Sequence, residues 1–217
     1  MAGNVFLFIP NIIGYARIVL AILSFYFMPT DCFMAVSMYL LSGLLDAFDG
    51  HAARYFNQST KFGAMLDMLT DRCVTTALLV MLSVFYPKFT FVFQMLICLD
   101  IASHWIHVQS SLFKGGASHK KIDLSSNFFL RIYYHSRVVL FIMCAGNELF
   151  FCMLYLVHFT NGPVLSVAGT TFGLWKALAW LTLPICILKQ SISVIQLTGA
   201  CINTANLDES ERERVNK

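Results

Sequence analysis

Charged residues are scarce in this chain of 217 residues: Asp, Glu, Lys and Arg make up 12% of it, whereas hydrophobic residues make up 58%. A water-soluble domain of this size needs more polar surface than that to enclose its apolar residues. The apolar runs are continuous and lack the alternation and frequent turns of a membrane β-barrel. The composition therefore predicts an all-helical integral membrane protein.

Other absences exclude further classes of protein. The seven cysteines include no CxxC spacing, so neither a disulfide framework nor a zinc site is expected. No nucleic-acid-binding motif accompanies the modest net charge of +3, and no nucleic-acid partner is expected. The start of the chain has no basic region followed by a small-residue cleavage site, which argues against a cleavable signal peptide.

Six apolar runs have the length of about 20 residues that a helix needs to cross a bilayer core about 30 Å thick. They cover approximately residues 9–28, 33–56, 64–86, 89–110, 134–159 and 172–200. Lysine and arginine concentrate in the second-to-third and fourth-to-fifth connections and in the C-terminal tail, which predicts that these segments and both termini are cytosolic. We expect one membrane domain over residues 1–217, with a charged cytosolic tail at about 206–217.

Four aspartates stand out within the second and third runs: Asp46, Asp49, Asp67 and Asp71. An aspartate at the centre of a lipid-facing helix costs about 2.5–3.5 kcal/mol, so these side chains should face a cavity or a ligand instead. Spacings of three and four residues place each pair on one helix face. Because the two helices are consecutive and antiparallel, the pairs can meet in one four-carboxylate pocket.

An all-oxygen set of ligands suits Mg²⁺ or Mn²⁺, and a pair of such ions is a common arrangement for phosphoryl chemistry. The alternative is that the acids form buried ion pairs with Arg17, Arg54 and Arg72. Arg17 and Asn11, near the start of the first run, either support the site and balance its charge or simply pack.

Between the acid pairs lie residues suited to a phosphate-bearing ligand. Gly50 leaves room for close approach, Arg54 offers a bidentate guanidinium and Thr60 a hydroxyl donor. Gly63, one turn before Asp67, is expected to let the third helix pack tightly on the second. Together these features indicate a diphosphate-bearing substrate.

The pattern Asp46-x2-Asp49-Gly50-x2-Ala53-Arg54-x8-Gly63-x3-Asp67-x3-Asp71 resembles the signature of the CDP-alcohol phosphatidyltransferase family at every fixed position and spacing. The resemblance extends along nearly the whole chain, since residues 10–18, 99–107, 118–127, 131–137 and 144–150 are similar to family members that use inositol.

This resemblance implies a six-helix homodimer in the endoplasmic reticulum membrane, with its active site facing the cytosol. The implied enzyme transfers the phosphatidyl group from CDP-diacylglycerol to myo-inositol, giving phosphatidylinositol and CMP. Asp46, Asp49, Asp67 and Asp71 would bind two divalent ions, Mg²⁺ or Mn²⁺, and Asp71 would also act as the catalytic base. Gly50, Arg54 and Thr60 would contact CDP-diacylglycerol.

Two kinds of alternative function remain open at the level of sequence. Sister enzymes that use glycerol phosphate, serine or choline share the motif, whereas intramembrane prenyltransferases lack its Gly-x2-Ala-Arg segment. An ion-coupled transporter would also place acids inside the membrane, but the two halves of this chain show no internal repeat.

Two weaker patterns each have two interpretations. Asp100, His104 and His107 share a face of the fourth run, where they either form interhelical hydrogen bonds or line the inositol pocket. A second set of basic residues either binds acidic headgroups and the CDP-lipid or forms an ordinary cytosolic loop. This set comprises Lys120, Lys121, Arg131 and Arg137.

Overall fold

The computed structural model describes residues 4–114, 136–167 and 170–215. Its long helices are α1 (Ile9–Phe27), α2 (Cys32–Tyr55), α3 (Lys61–Phe85), α4 (Thr90–Lys114), α5 (Arg137–Phe159) and α6 (Leu174–Val215). All six are long and apolar enough to cross a membrane. The predicted six-helix, all-helical architecture is therefore confirmed, while the side on which the termini lie stays a prediction.

The helix starts have local causes in the sequence. Pro10 occupies the first turn of α1, where its missing N–H costs nothing. Asp31 caps α2, because its Oδ1 accepts hydrogen bonds from the backbone N–H groups of Phe33 (3.1 Å) and Met34 (3.0 Å). These two signals explain why the first two helices begin close to the predicted residues.

The last helix is longer than the predicted sixth run, which ended near residue 200. At 1.5 Å per residue, the 42 residues of α6 extend about 63 Å, roughly twice the thickness of a bilayer core. The charged stretch 208–215 is helical and exposed, because it is rich in Glu and Arg and contains neither Gly nor Pro. The hydropathy pattern correctly gave the end of the apolar segment near residue 200, but the helix continues to Val215.

A short antiparallel hairpin lies between α5 and α6, formed by β1 (Val164–Val167) and β2 (Thr170–Gly173). It was not predicted from the sequence, where this stretch was a connection between two apolar runs. Phe172 and Gly173, at the start of the predicted sixth run, belong to β2 and not to a helix. The hairpin lies outside the six long helices and leaves the all-helical membrane architecture unchanged.

The chain forms two compact units. The first unit comprises residues up to 90 together with 151–176, and the second comprises residues 91–150 together with 177–217. In the first unit, α1 packs against α2 and α3.

Small residues let α1 and α2 approach closely. Ala21 and Ser24 of α1 and Ala35 of α2 are buried, and Ser24 Oγ donates a hydrogen bond of 2.8 Å to the carbonyl oxygen of Ala35. Further along the same pair, Ser42 Oγ donates to the carbonyl oxygen of Arg17 at 3.1 Å. Contacts of small and hydroxyl side chains are typical of helix pairs in membranes, where apolar burial alone provides little association energy.

The C-terminal part of α5 belongs to the first unit and is fixed there by two tyrosine hydroxyls. The buried Tyr155 hydroxyl donates to the carbonyl oxygen of Met28 at 2.8 Å, and that of Tyr86 donates to the carbonyl oxygen of Leu154 at 2.9 Å. Because Tyr86 lies between the spans and is half-buried, loss of hydration raises the pKa of its phenol and keeps it protonated as a donor.

The second unit contains several buried polar side chains. Lys189 of α6 is buried and lies 3.2 Å from Asp100 of α4, measured from Nζ to Oδ1. Next to it, Gln190 Nε2 donates to Asn147 Oδ1 of α5 at 2.9 Å. These pairs satisfy polar groups that lipid could not solvate.

Removal of the Tyr155 hydroxyl tests the packing of α5 in the first unit. We expect Tyr155→Phe to lower the free energy of unfolding by about 1 kcal/mol, because it removes a buried hydrogen bond and leaves the Met28 carbonyl unpaired. Thermal unfolding in detergent measures the change. Tyr26→Phe is the matched control, since Tyr26 is 75% exposed. Equal stability of the two variants would contradict the assigned role of this hydrogen bond.

Candidate active site

The four aspartates of the motif meet around one arginine. Arg17 Nη1 lies 2.7 Å from Asp49 Oδ2 and 2.5 Å from Asp67 Oδ1. Its Nη2 lies 2.8 Å from Asp46 Oδ1 and 2.6 Å from Asp71 Oδ1. The predicted meeting of the two acid pairs, contributed by α2 and α3, is therefore present in the structure.

The arginine and the acids differ sharply in exposure. The Arg17 side chain is 2% exposed, whereas those of Asp46, Asp67 and Asp71 are 41%, 45% and 37% exposed. Asp49 is the most enclosed of the acids, with 11% of its side chain exposed. Arg17 thus contacts the carboxylates from the protein interior, while three of them remain accessible from outside.

Three of these acids also form a group suited to a metal ion. Asp46, Asp49 and Asp67 each offer a carboxylate oxygen, and these oxygens all lie within 4.8 Å of one another. Oxygen-only donors fit a hard divalent cation such as Mg²⁺ or Mn²⁺. Asp71 is not part of this group of three, so its role as a fourth metal ligand stays a prediction.

The alternative interpretation, in which the acids form buried ion pairs, also describes part of the structure. Arg17 forms such pairs with all four acids, and Arg72 Nη2 lies 3.8 Å from Asp71 Oδ2. Arg54 lies instead at the neighbouring cavity. Ion pairing and metal binding are compatible here, because Arg17 contacts one carboxylate oxygen each of Asp46, Asp49 and Asp67, and a carboxylate can accept from several partners at once.

A cavity of about 210 Å³ adjoins the acids. Asp49 and Asp67 lie at its wall, together with the three residues predicted to contact CDP-diacylglycerol: Gly50, Arg54 and Thr60. The cavity lies between α1, α2 and α3 and is lined by motif residues that are up to 18 positions apart in sequence. The cavity has the mixed acidic and basic lining that a metal-bound diphosphate requires.

Two polar side chains of the cavity wall were not assigned to substrate binding from sequence. Asn11 and Gln58 both line the cavity. Gln58 Oε1 accepts a hydrogen bond of 2.9 Å from the backbone N–H of Ile9, which ties the α2–α3 connection to the start of α1. Just before it, Asn57 has a φ of 53°, a left-handed conformation that Asn tolerates. The polar run 57–60 within the motif was the available signal.

Thr60 has a structural duty in addition to its place at the cavity. It is the N-cap of α3, where its Oγ1 accepts a hydrogen bond of 3.0 Å from the backbone N–H of Gly63. The hydroxyl proton of a threonine that accepts in this way can still be donated to another acceptor. The structure is therefore compatible with the predicted hydrogen bond from Thr60 to a substrate.

The two glycines of the motif face different surroundings. A Cβ at Gly63 would lie 2.8 Å from Asn11 Oδ1 and 3.2 Å from Thr60 Oγ1, so a side chain there would force the buried Asn11 side chain to move. The sequence predicted that Gly63 packs against α2, but the neighbour that requires glycine is Asn11 of α1. Among the described residues, a Cβ at Gly50 would meet only Arg54, at 3.6 Å, so its missing side chain leaves open space in the cavity.

The polar face of α4 makes interhelical contacts within the second unit. Asp100 forms the ion pair with Lys189, and His104 Nδ1 lies 2.8 Å from the carbonyl oxygen of Asp100. The interpretation as interhelical contacts thus describes Asp100, while a role of His104 and His107 toward inositol stays a prediction. Lys189 was missed from the sequence, although a lysine in the middle of an apolar run calls for a buried acid.

Most of the second set of basic residues lies outside the described part of the chain. Lys120, Lys121 and Arg131 lie outside the described residues, and Arg137 is the first residue of α5. Binding of acidic headgroups or of the CDP-lipid by these basic residues stays a prediction.

Comparison with known proteins agrees with the family resemblance of the motif. The family model of the CDP-alcohol phosphatidyltransferases matches residues 7–203. The chain therefore belongs to the CDP-alcohol phosphatidyltransferase family. No solved structure matches the chain.

Curated relatives agree on one activity. The Rattus norvegicus protein named CDP-diacylglycerol–inositol 3-phosphatidyltransferase is 59% identical over 97% of this chain and 97% of its own. Proteins of the same name are 52% identical in Drosophila melanogaster, over 97% of this chain and 90% of theirs, and 40% identical in Saccharomyces cerevisiae, over 100% and 94%. The resemblance to inositol-using members of the family is confirmed.

Alanine at the two glycines separates packing from cavity space. We expect Gly63→Ala to lower the free energy of unfolding by about 1–3 kcal/mol, because its Cβ overlaps Asn11. Gly50→Ala should leave stability unchanged or raise it by up to about 1 kcal/mol, since alanine favours helix and meets no clash. Thermal unfolding of both variants measures these changes in stability. A larger loss for Gly50→Ala than for Gly63→Ala would show that the spatial assignment is wrong.

Proposed function

We propose that this chain is a CDP-diacylglycerol–inositol 3-phosphatidyltransferase, which forms phosphatidylinositol and CMP from CDP-diacylglycerol and myo-inositol. The observation that carries the proposal is the group of three carboxylates beside the cavity that contains Gly50, Arg54 and Thr60. Relatives named for this activity match almost the whole chain, which favours inositol over the alcohols of sister enzymes.

CDP-diacylglycerol would occupy the cavity with its diphosphate toward the acids. The Arg54 guanidinium would donate paired hydrogen bonds to a phosphate, and the Thr60 hydroxyl would donate another. The bare backbone at Gly50 would admit the nucleotide close to α2. Since the surrounding helices are apolar on their outer faces, the acyl chains can stay in lipid while the nucleotide enters from water.

Asp46, Asp49 and Asp67 would bind divalent cations, with Asp71 as an additional ligand of a two-ion site. When bound, Mg²⁺ or Mn²⁺ would neutralise the diphosphate and the departing CMP. Arg54 adds a fixed positive charge to the same substrate group. Much of the remaining rate enhancement would come from holding the two substrates in line.

Asp71 would be the general base. Its carboxylate would accept the proton of the attacking inositol hydroxyl as the inositol oxygen forms a bond to the phosphorus of the phosphatidyl group. The bond between that phosphorus and the oxygen bridging to CMP breaks, and CMP leaves with the electron pair. The Asp71 side chain is 37% exposed, which supports this role because an attacking hydroxyl can reach its carboxylate.

The proposed cellular setting is supported by the distribution of cations and by the family resemblance. The cation-rich segments and both termini would face the cytosol, which places the acid-bearing ends of α2 and α3 on that side. We further propose that the protein is a homodimer of the endoplasmic reticulum membrane.

The decisive experiment supplies purified protein with CDP-diacylglycerol, labelled myo-inositol and Mg²⁺ or Mn²⁺. We expect labelled phosphatidylinositol and stoichiometric CMP, no product in excess chelator, and recovery when the metal is restored. Serine, glycerol phosphate and choline are tested in parallel as acceptors. Preference for one of these alcohols would reassign the substrate, and full activity in chelator would refute the metal requirement.

Substitution of single acids separates the base from the ligands. We expect Asp71→Asn to reduce phosphatidylinositol formation by about 10²–10⁴-fold, because asparagine cannot accept the proton, while binding of CDP-diacylglycerol persists. Asp46→Asn should weaken binding of both metal and CDP-diacylglycerol. Turnover and equilibrium binding are measured for each variant. Near-normal turnover of Asp71→Asn would exclude it as the base, and loss of lipid binding at high metal would assign it to ligation.

A further inference from the structure

We propose that Arg17 is a positioning residue, a resident cation that holds the four motif aspartates together before any metal ion binds. The inference rests on the proposed function in one respect: it assumes that divalent metal ions bind the same aspartates after Arg17 has positioned them. It assigns a role to a residue of α1, outside the motif that α2 and α3 carry.

The contacts of Arg17 link the two acid-bearing helices twice. Nη1 binds Asp49 of α2 and Asp67 of α3, and Nη2 binds Asp46 of α2 and Asp71 of α3. Each terminal nitrogen therefore bridges the same two helices. A lysine has one nitrogen and cannot make two such bridges in the fixed plane of a guanidinium.

The charge of the cluster explains why such a bridge is needed. Four carboxylates lie within reach of a single guanidinium, and like charges at this range repel strongly in an environment of low polarity. Arg17 supplies a positive charge from the buried side, where its side chain is 2% exposed and water cannot replace it. Divalent cations approaching from the exposed side would supply the remaining compensation.

The position of Arg17 is itself fixed by packing. Ser42 Oγ of α2 donates a hydrogen bond to the Arg17 carbonyl oxygen at 3.1 Å, and both residues are buried. The guanidinium is thus delivered to the acids by the tight α1–α2 contact. Loss of the guanidinium should separate or loosen the acid-bearing ends of α2 and α3 when no metal compensates their charge.

Thermal unfolding of the full-length protein in detergent, in excess chelator and in excess Mn²⁺, tests this role. We expect Arg17→Met to lower the Tm in chelator and to show a larger rise in Tm on addition of Mn²⁺ than the wild type shows. The Tm of Arg17→Lys in chelator should lie between those of Arg17→Met and the wild type, because lysine keeps the positive charge but cannot bridge the two helices twice. The double variant Arg17→Met/Asp71→Asn should recover part of the Tm lost in chelator, since it removes one negative charge.

Lys189→Met is the matched control, because it also removes a buried cation from an ion pair, the one with Asp100. It should lose similar stability in chelator and in Mn²⁺. The proposal is overturned if Arg17→Met behaves like this control and the double variant recovers nothing, or if neither Arg17 variant folds in either condition.

Failure of the proposed function would look different. In that case the wild type would form no phosphatidylinositol or would gain no stability from Mn²⁺ or Mg²⁺. The role of Arg17 would still be decided in chelator alone, by whether Asp71→Asn restores stability to Arg17→Met.

Discussion

The electrostatic cost of placing four carboxylates among apolar helices governs the first unit of this protein. Lipid cannot solvate these groups, and the side chains of Asp46, Asp67 and Asp71 are only partly exposed. Arg17 compensates them from the interior, and the α1–α2 contact that includes the buried Ser24 and Ala35 brings it there. The small residues of that contact therefore serve the acid cluster as well as the stability of the helix pair.

The same residues build the fold and the cavity in the α2–α3 connection. Thr60 caps α3 and lines the cavity, and Gln58 ties the connection to α1 while lining it too. Gly63 permits Asn11 to approach α3. A substitution in this connection consequently affects helix packing and ligand space together, and stability must be measured beside binding before a loss of activity is assigned to the site.

The second unit uses polar contacts between helices in a different way. Lys189 and Asp100 compensate one another inside it, and Gln190 and Asn147 form a neutral pair beside them. Such pairs add modest stability, since a polar group in a membrane protein also finds hydrogen-bond partners in the unfolded state within the membrane. Their geometric demands favour one register of α4, α5 and α6, because a shifted helix would leave a buried charge uncompensated.

The sequence by itself determined the membrane class, the approximate spans and the face that each aspartate pair shares, because these depend on apolar run length and helical period alone. Family membership followed from the spacing of the motif. Only the tertiary structure decided that Arg17 meets all four acids, that Gly63 faces Asn11 and that Lys189 pairs with Asp100. These partners lie 29 to 89 residues apart in sequence, from Arg17 and Asp46 to Asp100 and Lys189. Which helix faces meet is set by packing that no local pattern encodes.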